Sequence, residues 1–528
     1  MEELTATGII RQFKAAKSKR GAWESHWREC YEYALPQREG FSGAQTPGAK
    51  RTDTIFDGTA ADAVDQLAAS LLAQLTPPWS RWFGLTAGIE VGEEERAIVT
   101  PVLDRTAATL QSHFDRSNFT VELHQCYLDL VTGGTASLLF EETAPGESSA
   151  FRFTAVPLTQ AVMAEGPEGR LDITYRQSTL TLGRLKARFP AAQLPEAMVR
   201  EGSEDPAKRF EIIEAVMPKN GGFSYMAVFD TGQTETGTND EAGMLAEGFF
   251  ETSPFINFRW LKAPGEEYGR SPVMKALPDI KTANKVVELV LKNATIAVTG
   301  IWQADDDGVM NPANIRLVPG SIIPKAVGSA GLTPLETPGR FDVSQLVLED
   351  LRTRIRHAML TDRLGQIEGP KMTATEVIER STEIARVLGA TYGRLQSELL
   401  TPLIRRGLTI LRRRGEIPDV IIDGRNVDLQ YRSPLAQNQA RRDVQNTLLW
   451  LESASGMGPE AQAAIDLAQA VRWMGRAFGV PGELIREESG DKNALDMIAE
   501  LASGAGALLA GAEEKDLGGL IPQDTELD

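Results

Sequence analysis

Apolar positions early in the chain recur every three or four residues, the spacing that gathers them on one face of a helix. Ile9, Ile10 and Phe13, then Trp23, Trp27 and Tyr31 at four-residue steps, predict an aromatic-rich helix that Pro36 ends. Val64, Leu67, Ala68, Leu71, Leu72 and Leu75 predict a second helix over Thr59 to Leu75, closed by Thr76-Pro77-Pro78. Thr100-Pro101 has the form of an N-cap followed by proline at the first helical position, so a third helix is expected from there to about Arg116. A fourth, Val121 to Val131, stops at Gly133-Gly134.

From Ala136 to about Leu261 the pattern changes to short runs rich in aromatic and branched residues. These are Ser137 to Phe140, Phe151 to Val156, Leu171 to Arg176, Phe210 to Val216, Phe223 to Phe229 and Phe255 to Trp260, separated by breaks such as Asn220-Gly221-Gly222. They predict a mixed or antiparallel sheet region inside an otherwise helical chain. Helical spacing returns from Ser271-Pro272 to about Val298, with an irregularity expected at Pro278, and again from a cap at Asp342 to about Leu360. A loop-and-strand insert, Gly300 to Gly339, lies between these two helices. Past a loop containing Gly and Pro, Thr373-Ala374-Thr375-Glu376 has the Thr-x-x-Glu form of a capping box. Its helix runs to Arg414, with a kink or interruption at Pro402. A strand pair, Val420 to Ile422 and Val427 to Tyr431, precedes helices from about Gln437 to Phe478. The end from Glu513, with six acids against one Lys, is expected to be disordered.

Composition narrows the function. A chain of 528 residues, 42% of them hydrophobic, can bury a core spread over several units. Its net charge of −18 argues against a surface that grips nucleic acid tightly, since that requires clustered Lys and Arg. Cys30 and Cys126 have no metal or redox spacing and suit a reducing compartment. No leader pattern and no uninterrupted apolar span occurs, so a soluble, unsecreted protein without membrane contact is expected. Neither a phosphate-cradling Gly-Lys-Ser/Thr loop, a Gly-x-Ser-x-Gly elbow, a His-Glu-x-x-His pair nor a Cys-x-x-Cys is present. His26, His113, His124 and His357 read as packing or surface residues, and Asp305-Asp306-Asp307-Gly308 as a solvated turn lacking the spaced ligands of a calcium loop. Arg412-Arg413-Arg414 could bind phosphate, although cations at a helix C-terminus also complement its dipole, the preferred reading. No catalytic residue, metal or cofactor is assigned.

Two stretches carry a resemblance. Gly265-Glu266-Glu267-Tyr268-Gly269-Arg270-Ser271-Pro272 resembles the segment before the first stem helix of the head-to-tail connecting, or portal, proteins of short-tailed bacteriophages. Met372-Thr373-Ala374-Thr375-Glu376-Val377 is similar to that family's stretch after the tunnel loop. Looser matches are the helix from Trp23 to Leu35 ending at Pro36, Leu75-Thr76-Pro77-Pro78, and Gly134-Thr135-Ala136-Ser137-Leu138-Leu139. Their joint order covers roughly residues 5 to 435, while the remainder is placed by position alone.

The resemblance implies an α+β, predominantly helical subunit. Residues 1–270 would form a wing of helices and mixed β structure, 271–299 the first stem helix, 300–340 the clip and 341–361 the second stem helix. The tunnel loop would follow at 362–373, a long kinked wing helix and strand pair at 374–434, and crown or barrel helices with the acidic tail at 435–528. The expected function is non-enzymatic: a dodecameric ring at one capsid vertex through which double-stranded DNA passes without sequence recognition. Implied partners are further copies of the chain, the major capsid protein, a scaffolding protein, the large terminase, a tail adaptor and internal ejection proteins. The location would be the virion, and the host cytoplasm during assembly. Rival readings are another phage structural protein, such as a tail adaptor or internal virion protein, or a cytoplasmic enzyme with a scattered site.

On the first stem helix, Lys281, Lys285 and Lys292 fall within about 40° of one another at 100° per residue, with Glu288 in the same stripe. Ile280, Ala283, Val287, Val290, Leu291 and Ala294 occupy the other side. On the second, Arg352 and Arg356 lie one turn apart, while Val343, Val347, Leu351, Ile355 and Met359 repeat at four-residue steps. Two readings fit the basic residues equally: rings of positive charge facing a DNA channel, or ion pairs such as Glu349 with Arg352 and Lys292 with Glu288. Arg363 and Lys371, in the expected tunnel loop, are further candidates for DNA contact.

Overall fold

The computed structural model describes residues 5–38, 41, 48–78, 80–88, 90, 93–166, 168–219, 221–229, 243–299, 302–304, 332–334, 341–361, 389, 391–418, 427–431, 444, 446–454 and 465–478. Helices α1 (Ala6–Ala34) and α2 (Thr59–Leu75) come first, then strand β1 (Phe83–Ala87) and helices α3 (Glu93–Asp115) and α4 (Phe119–Gly133). Strands β2 (Thr135–Glu142), β3 (Phe151–Val156), β4 (Ala161–Ala164) and β5 (Ile173–Thr181) follow, then helices α5 (Leu182–Arg188) and α6 (Glu196–Glu204). The β region continues through β6 (Arg209–Lys219), β7 (Gly222–Phe229), β8 (Met244–Phe250) and β9 (Phe255–Arg259). Beyond it lie α7 (Pro272–Thr299), β10 (Trp302–Ala304), β11 (Leu332–Pro334), α8 (Phe341–Ala358), a π-helical turn (Gln396–Leu400), α9 (Thr401–Arg413), β12 (Val427–Tyr431) and α10 (Leu467–Phe478).

Two compact units result. The first takes in Met1–Arg81 and Ala108–Ile421, the second Trp82–Ala107 and Ile422–Asp528. In the first, β4-β5-β6-β7-β8 form one antiparallel sheet, and β3-β2-β9 form another. Strand side chains alternate between faces, so β6 sends Ile213, Ala215 and Met217 one way and Phe210 and Ile212 the other. The first set meets Ile9, Phe13 and Ala16 of α1, and the second meets Leu182, Leu185 and Met198 of α5 and α6. Each fully buried aliphatic or Phe side chain in these layers contributes about 1.5–3 kcal/mol. The smaller sheet packs Phe140, Phe151 and Phe153 around Phe114 and Phe119.

The β region is antiparallel throughout its described pairings, and it contains two strands, β4 and β8, that the hydrophobic pattern does not single out. Two helix starts also differ from expectation. α3 begins at Glu93 and carries Pro101 in its interior; a proline there costs the helix one hydrogen bond without ending it. α8 begins at Phe341, which puts Asp342 inside the first turn instead of before it. α7 likewise runs through Pro278, and Thr282 Oγ1 donates 2.8 Å to the Pro278 carbonyl. Around Pro402 the helix continues with one local irregularity, a π-helical turn that runs directly into α9 with Leu400 and Thr401 both right-handed helical, where Thr401 Oγ1 donates to the Gln396 carbonyl at 2.9 Å. In the second unit β12 pairs antiparallel with β1, Leu85 facing Leu429, while residues 420–422 lie outside the described residues. The capping box at 373–376, most of the 300–340 insert and the acidic end also lie outside them.

Candidate functional site

The α7–α8 pair grows from a joint built by the segment before it. Gly134, in the left-handed conformation at φ 79°, ends α4, and its backbone lies directly against Gly269. A Cβ on Gly134 would sit 2.2 Å from the Gly269 carbonyl oxygen, and one on Gly269 would sit 2.1 Å from that of Gly134, so both positions require glycine. Around this contact Gly269 N–H donates to Thr135 Oγ1 at 2.8 Å, and Trp260 N–H donates to the Gly134 carbonyl at 2.9 Å. Tyr268, 1% exposed, accepts from Met163 N–H at 3.0 Å and donates to the same residue's carbonyl at 3.2 Å. Arg270 stacks on Trp23 at 4.9 Å and hydrogen-bonds Glu266. Ser271 then accepts the Met274 N–H at 2.9 Å, capping α7, and donates to the Thr132 carbonyl at 2.8 Å. A groove of about 420 Å³ beside the joint is lined by Lys19, Trp23, His26, Glu266, Tyr268 and Arg270 among others.

α7 and α8 pack side by side, with the short antiparallel pair β10–β11 between them in sequence. Near the joint their facing residues are buried: Ile280, Ala283, Leu351, Ile355 and Met359 are each 6% exposed or less. Farther along, Leu291 and Leu346 are 51% and 75% exposed. The loop before α2 holds the pair at mid-length. Asn284 accepts from Phe56 N–H at 2.6 Å and Asp57 N–H at 3.1 Å, and donates to the Thr54 carbonyl at 2.9 Å.

The basic residues of the two helices are largely paired. Lys281 reaches Glu29 of α1 at 3.1 Å. Lys285 and Lys292 share Glu288 at 2.9 and 2.6 Å, and their hydrogen bonds hold its carboxyl below the usual range. Arg352 donates Nε to Asp57 at 2.9 Å and a terminal nitrogen to Glu349 at 3.3 Å. Arg356 is exposed and has no side-chain hydrogen bond or ion pair to another described residue. Arg363 and Lys371 lie outside the described residues. Arg412, Arg413 and Arg414 each pair with a carboxylate, Glu251 for the first, Glu142 for the second and Glu416 at 2.8 Å for the third.

Several further residues tie these elements together, and no sequence pattern announces them. Arg259, at the end of β9 and 1% exposed, donates to Glu398 of the π-helical turn at 2.7 Å and to Glu165 at 2.5 Å. Burial alone would depress its guanidinium, but the two carboxylates raise it above its ordinary value. Arg406 of α9, 5% exposed, donates to the carbonyls of Phe140 and Thr252 at 2.7 and 2.6 Å and lies over the Phe140 and Phe250 rings. Burial, then Arg413, pulls its pKa down to about 9, which leaves it charged at neutral pH. An arginine beside apolar residues is the only cue for either, and it cannot name the partner. His113 accepts the Ala150 N–H at Nδ1, so Nε2 carries the proton given to Glu416 at 2.7 Å, a packing role. Among the described residues no group of three or more His, Cys, Asp or Glu comes together as a metal site, and no helix is long and apolar enough to cross a membrane.

The family model described as bacteriophage head to tail connecting protein matches residues 6–485. The chain is 28% identical over 508 residues to the "Probable portal protein" of Bordetella phage BPP-1, covering 90% of this chain and 88% of that one. It is 24% identical to the portal protein of Salmonella phage epsilon15, covering 97% and 94% of the two chains. It is 21% identical to that of Escherichia phage T7, covering 79% and 76%. These matches define a class of phage proteins that join head to tail. This chain belongs to the bacteriophage head to tail connecting protein family, and it is a portal subunit, as the joint order of its motifs from about residue 5 to 435 implied.

Proposed function

We propose that twelve copies of this chain close into a ring at one capsid vertex, with the α7–α8 pairs surrounding the path of double-stranded DNA. The supporting observation is the helix, β-pair, helix order of α7, β10–β11 and α8, standing on a joint built from family motifs. Lys281, Lys285, Lys292 and Arg356, together with Arg363 and Lys371, would supply weak phosphate contacts that centre the duplex without reading its sequence. The segment 300–340 would be the clip, on which the large terminase and then the tail adaptor dock. The major capsid protein, a scaffolding protein and internal ejection proteins would meet other faces of the ring, which would assemble in the host cytoplasm before entering the virion.

Negative-stain images of the purified chain, or of the chain co-expressed with its scaffold, test the ring. Twelvefold particles with an axial hole are expected; a stable monomer under both conditions overturns the reading. Deleting residues 300–340 should abolish terminase and adaptor binding while leaving the remaining fold intact, and undiminished docking removes the clip assignment.

A further inference from the structure

We propose that Asp57, Asn284 and Arg352 form the fulcrum that fixes the cant of the α7–α8 pair, and that Arg352 acts there and not on DNA. The second half of this assignment rests on the channel reading; the first does not.

Asn284 is 7% exposed and spends three of its four hydrogen-bonding positions on the backbone of Thr54, Phe56 and Asp57. Asp57, 6% exposed, divides its carboxylate between two tasks. Oδ1 accepts the Thr59 N–H at 3.0 Å at the start of α2, and Oδ2 accepts Arg352 Nε at 2.9 Å. The middle of α7, the middle of α8 and the first turn of α2 therefore meet on one short loop. Burial along the helix pair changes at the same level. Toward the joint, Ala283 and Ile355 are 0% and 1% exposed, whereas beyond the clamp Leu289, Leu291, Leu346 and Val347 range from 45% to 75%.

Such a placement is that of a pivot. About 15 residues of α7 lie beyond Asn284, a lever of roughly 22 Å at 1.5 Å per residue, so a rotation of about 5° at the clamp moves the tip by about 2 Å. A displacement of that size around a ring alters the width of its opening.

The test uses spin labels on the full chain at Asn293→Cys in α7 and Val121→Cys in α4, both exposed positions; the native Cys30 and Cys126 are buried and do not label. Labelled subunits are diluted with unlabelled ones so that distances are read within a chain. Asp57→Asn keeps an acceptor for Thr59 N–H and removes the charge facing Arg352, and Arg352→Met leaves the loop and Asn284 untouched. Asn293 lies nine residues, about 13.5 Å, beyond Asn284, so both variants should shift or broaden the distance distribution by about 1 Å or more, with Arg352→Lys intermediate and Arg356→Ala unchanged. Identical distributions in wild type and Arg352→Met overturn the fulcrum, even if Asp57→Asn fails to fold. On assembled rings, Arg356→Ala should flatten the salt dependence of duplex binding and Arg352→Met should leave it unchanged; a flattened slope in Arg352→Met overturns its assignment away from DNA. A chain that stays monomeric removes the ring reading, yet the distance measurement still decides the fulcrum.

Discussion

At Gly134 and Gly269 two backbones touch with no room for a side chain, and Gly134 is needed for a second reason as well. Gly134 has both a positive φ and a carbonyl oxygen 2.2 Å from any added Cβ. Gly265, four residues before Gly269, has a positive φ of 81° but open space around it. Gly134→Ala should therefore cost about 2–5 kcal/mol, the sum of left-handed strain and overpacking, and Gly265→Ala only about 1–2 kcal/mol. Chemical denaturation midpoints of the two variants measure the difference, and equal losses would mean that the close approach relaxes freely. Asp57 yields a prediction in pH. Burial raises its pKa, but hydrogen bonds from Thr59 and Arg352 outweigh that and hold it below its ordinary value of 3.8. A carboxyl depressed in the folded state stabilises fully above its unfolded pKa, and loses that contribution as pH falls through the folded value. The gap in melting temperature between wild type and Asp57→Asn should be constant from neutral pH to about pH 5 and close below about pH 4. A gap that persists in acid would show that the Asp57 charge plays no part.

Among the elements, the long ones were legible because periodicity and punctuation agreed. α2 spans the expected residues, and α7 starts one residue after its Ser271 cap. Pro101 misled because a Thr-Pro pair makes a good helix start, yet a helix with enough partners tolerates the missing hydrogen bond. β4 and β8 were illegible for another reason. Ala161–Ala164 is too short to show alternation, and Met244–Phe250 is an edge strand whose outer face needs no apolar pattern. The tie between β9 and the π-helical turn could not be read at all, because Arg259 and Glu398 lie 139 positions apart. That tie is also the element-scale prediction. Arg259→Met removes the cation that Glu398 and Glu165 share and leaves them Arg394 and Lys262, so it should destabilise by about 1–3 kcal/mol, the cost of unmade hydrogen bonds to mostly buried carboxylates. Adding Glu398→Gln should recover part of the loss, and a double-mutant cycle on melting measures the coupling. Strict additivity would mean the two residues act independently.

For the whole molecule, the sequence offered a conflict: an acidic chain of net charge −18 expected to let DNA pass. On the proposed channel reading, the α7 stripe would meet it through partial neutralisation. Lys285 and Lys292 are present, but Glu288 sits between them and bonds both, so the exposed stripe carries less free positive charge than its lysines suggest. Sequence spacing placed all three residues on one face, although it could not choose between a channel lining and an ion-pair ladder; the geometry shows the ion pairs, and the channel lining is the proposed reading. On the proposed channel reading, Glu288 would set how firmly the ring holds a duplex. Each phosphate neutralised releases condensed counterions, which makes the logarithm of affinity fall with that of salt by about 0.9 per contact. Glu288→Gln frees two lysines per subunit for phosphate, so assembled rings should bind duplex DNA more tightly at low salt and with a steeper salt dependence. Lys285→Ala and Lys292→Ala should each move both quantities the other way. Fluorescence anisotropy of a labelled duplex across a salt series measures both. If Glu288→Gln matches wild type at every salt concentration, the stripe does not face DNA. If it binds more tightly with an unchanged slope, the gain comes from something other than phosphate contacts, and the lysines lose their proposed role.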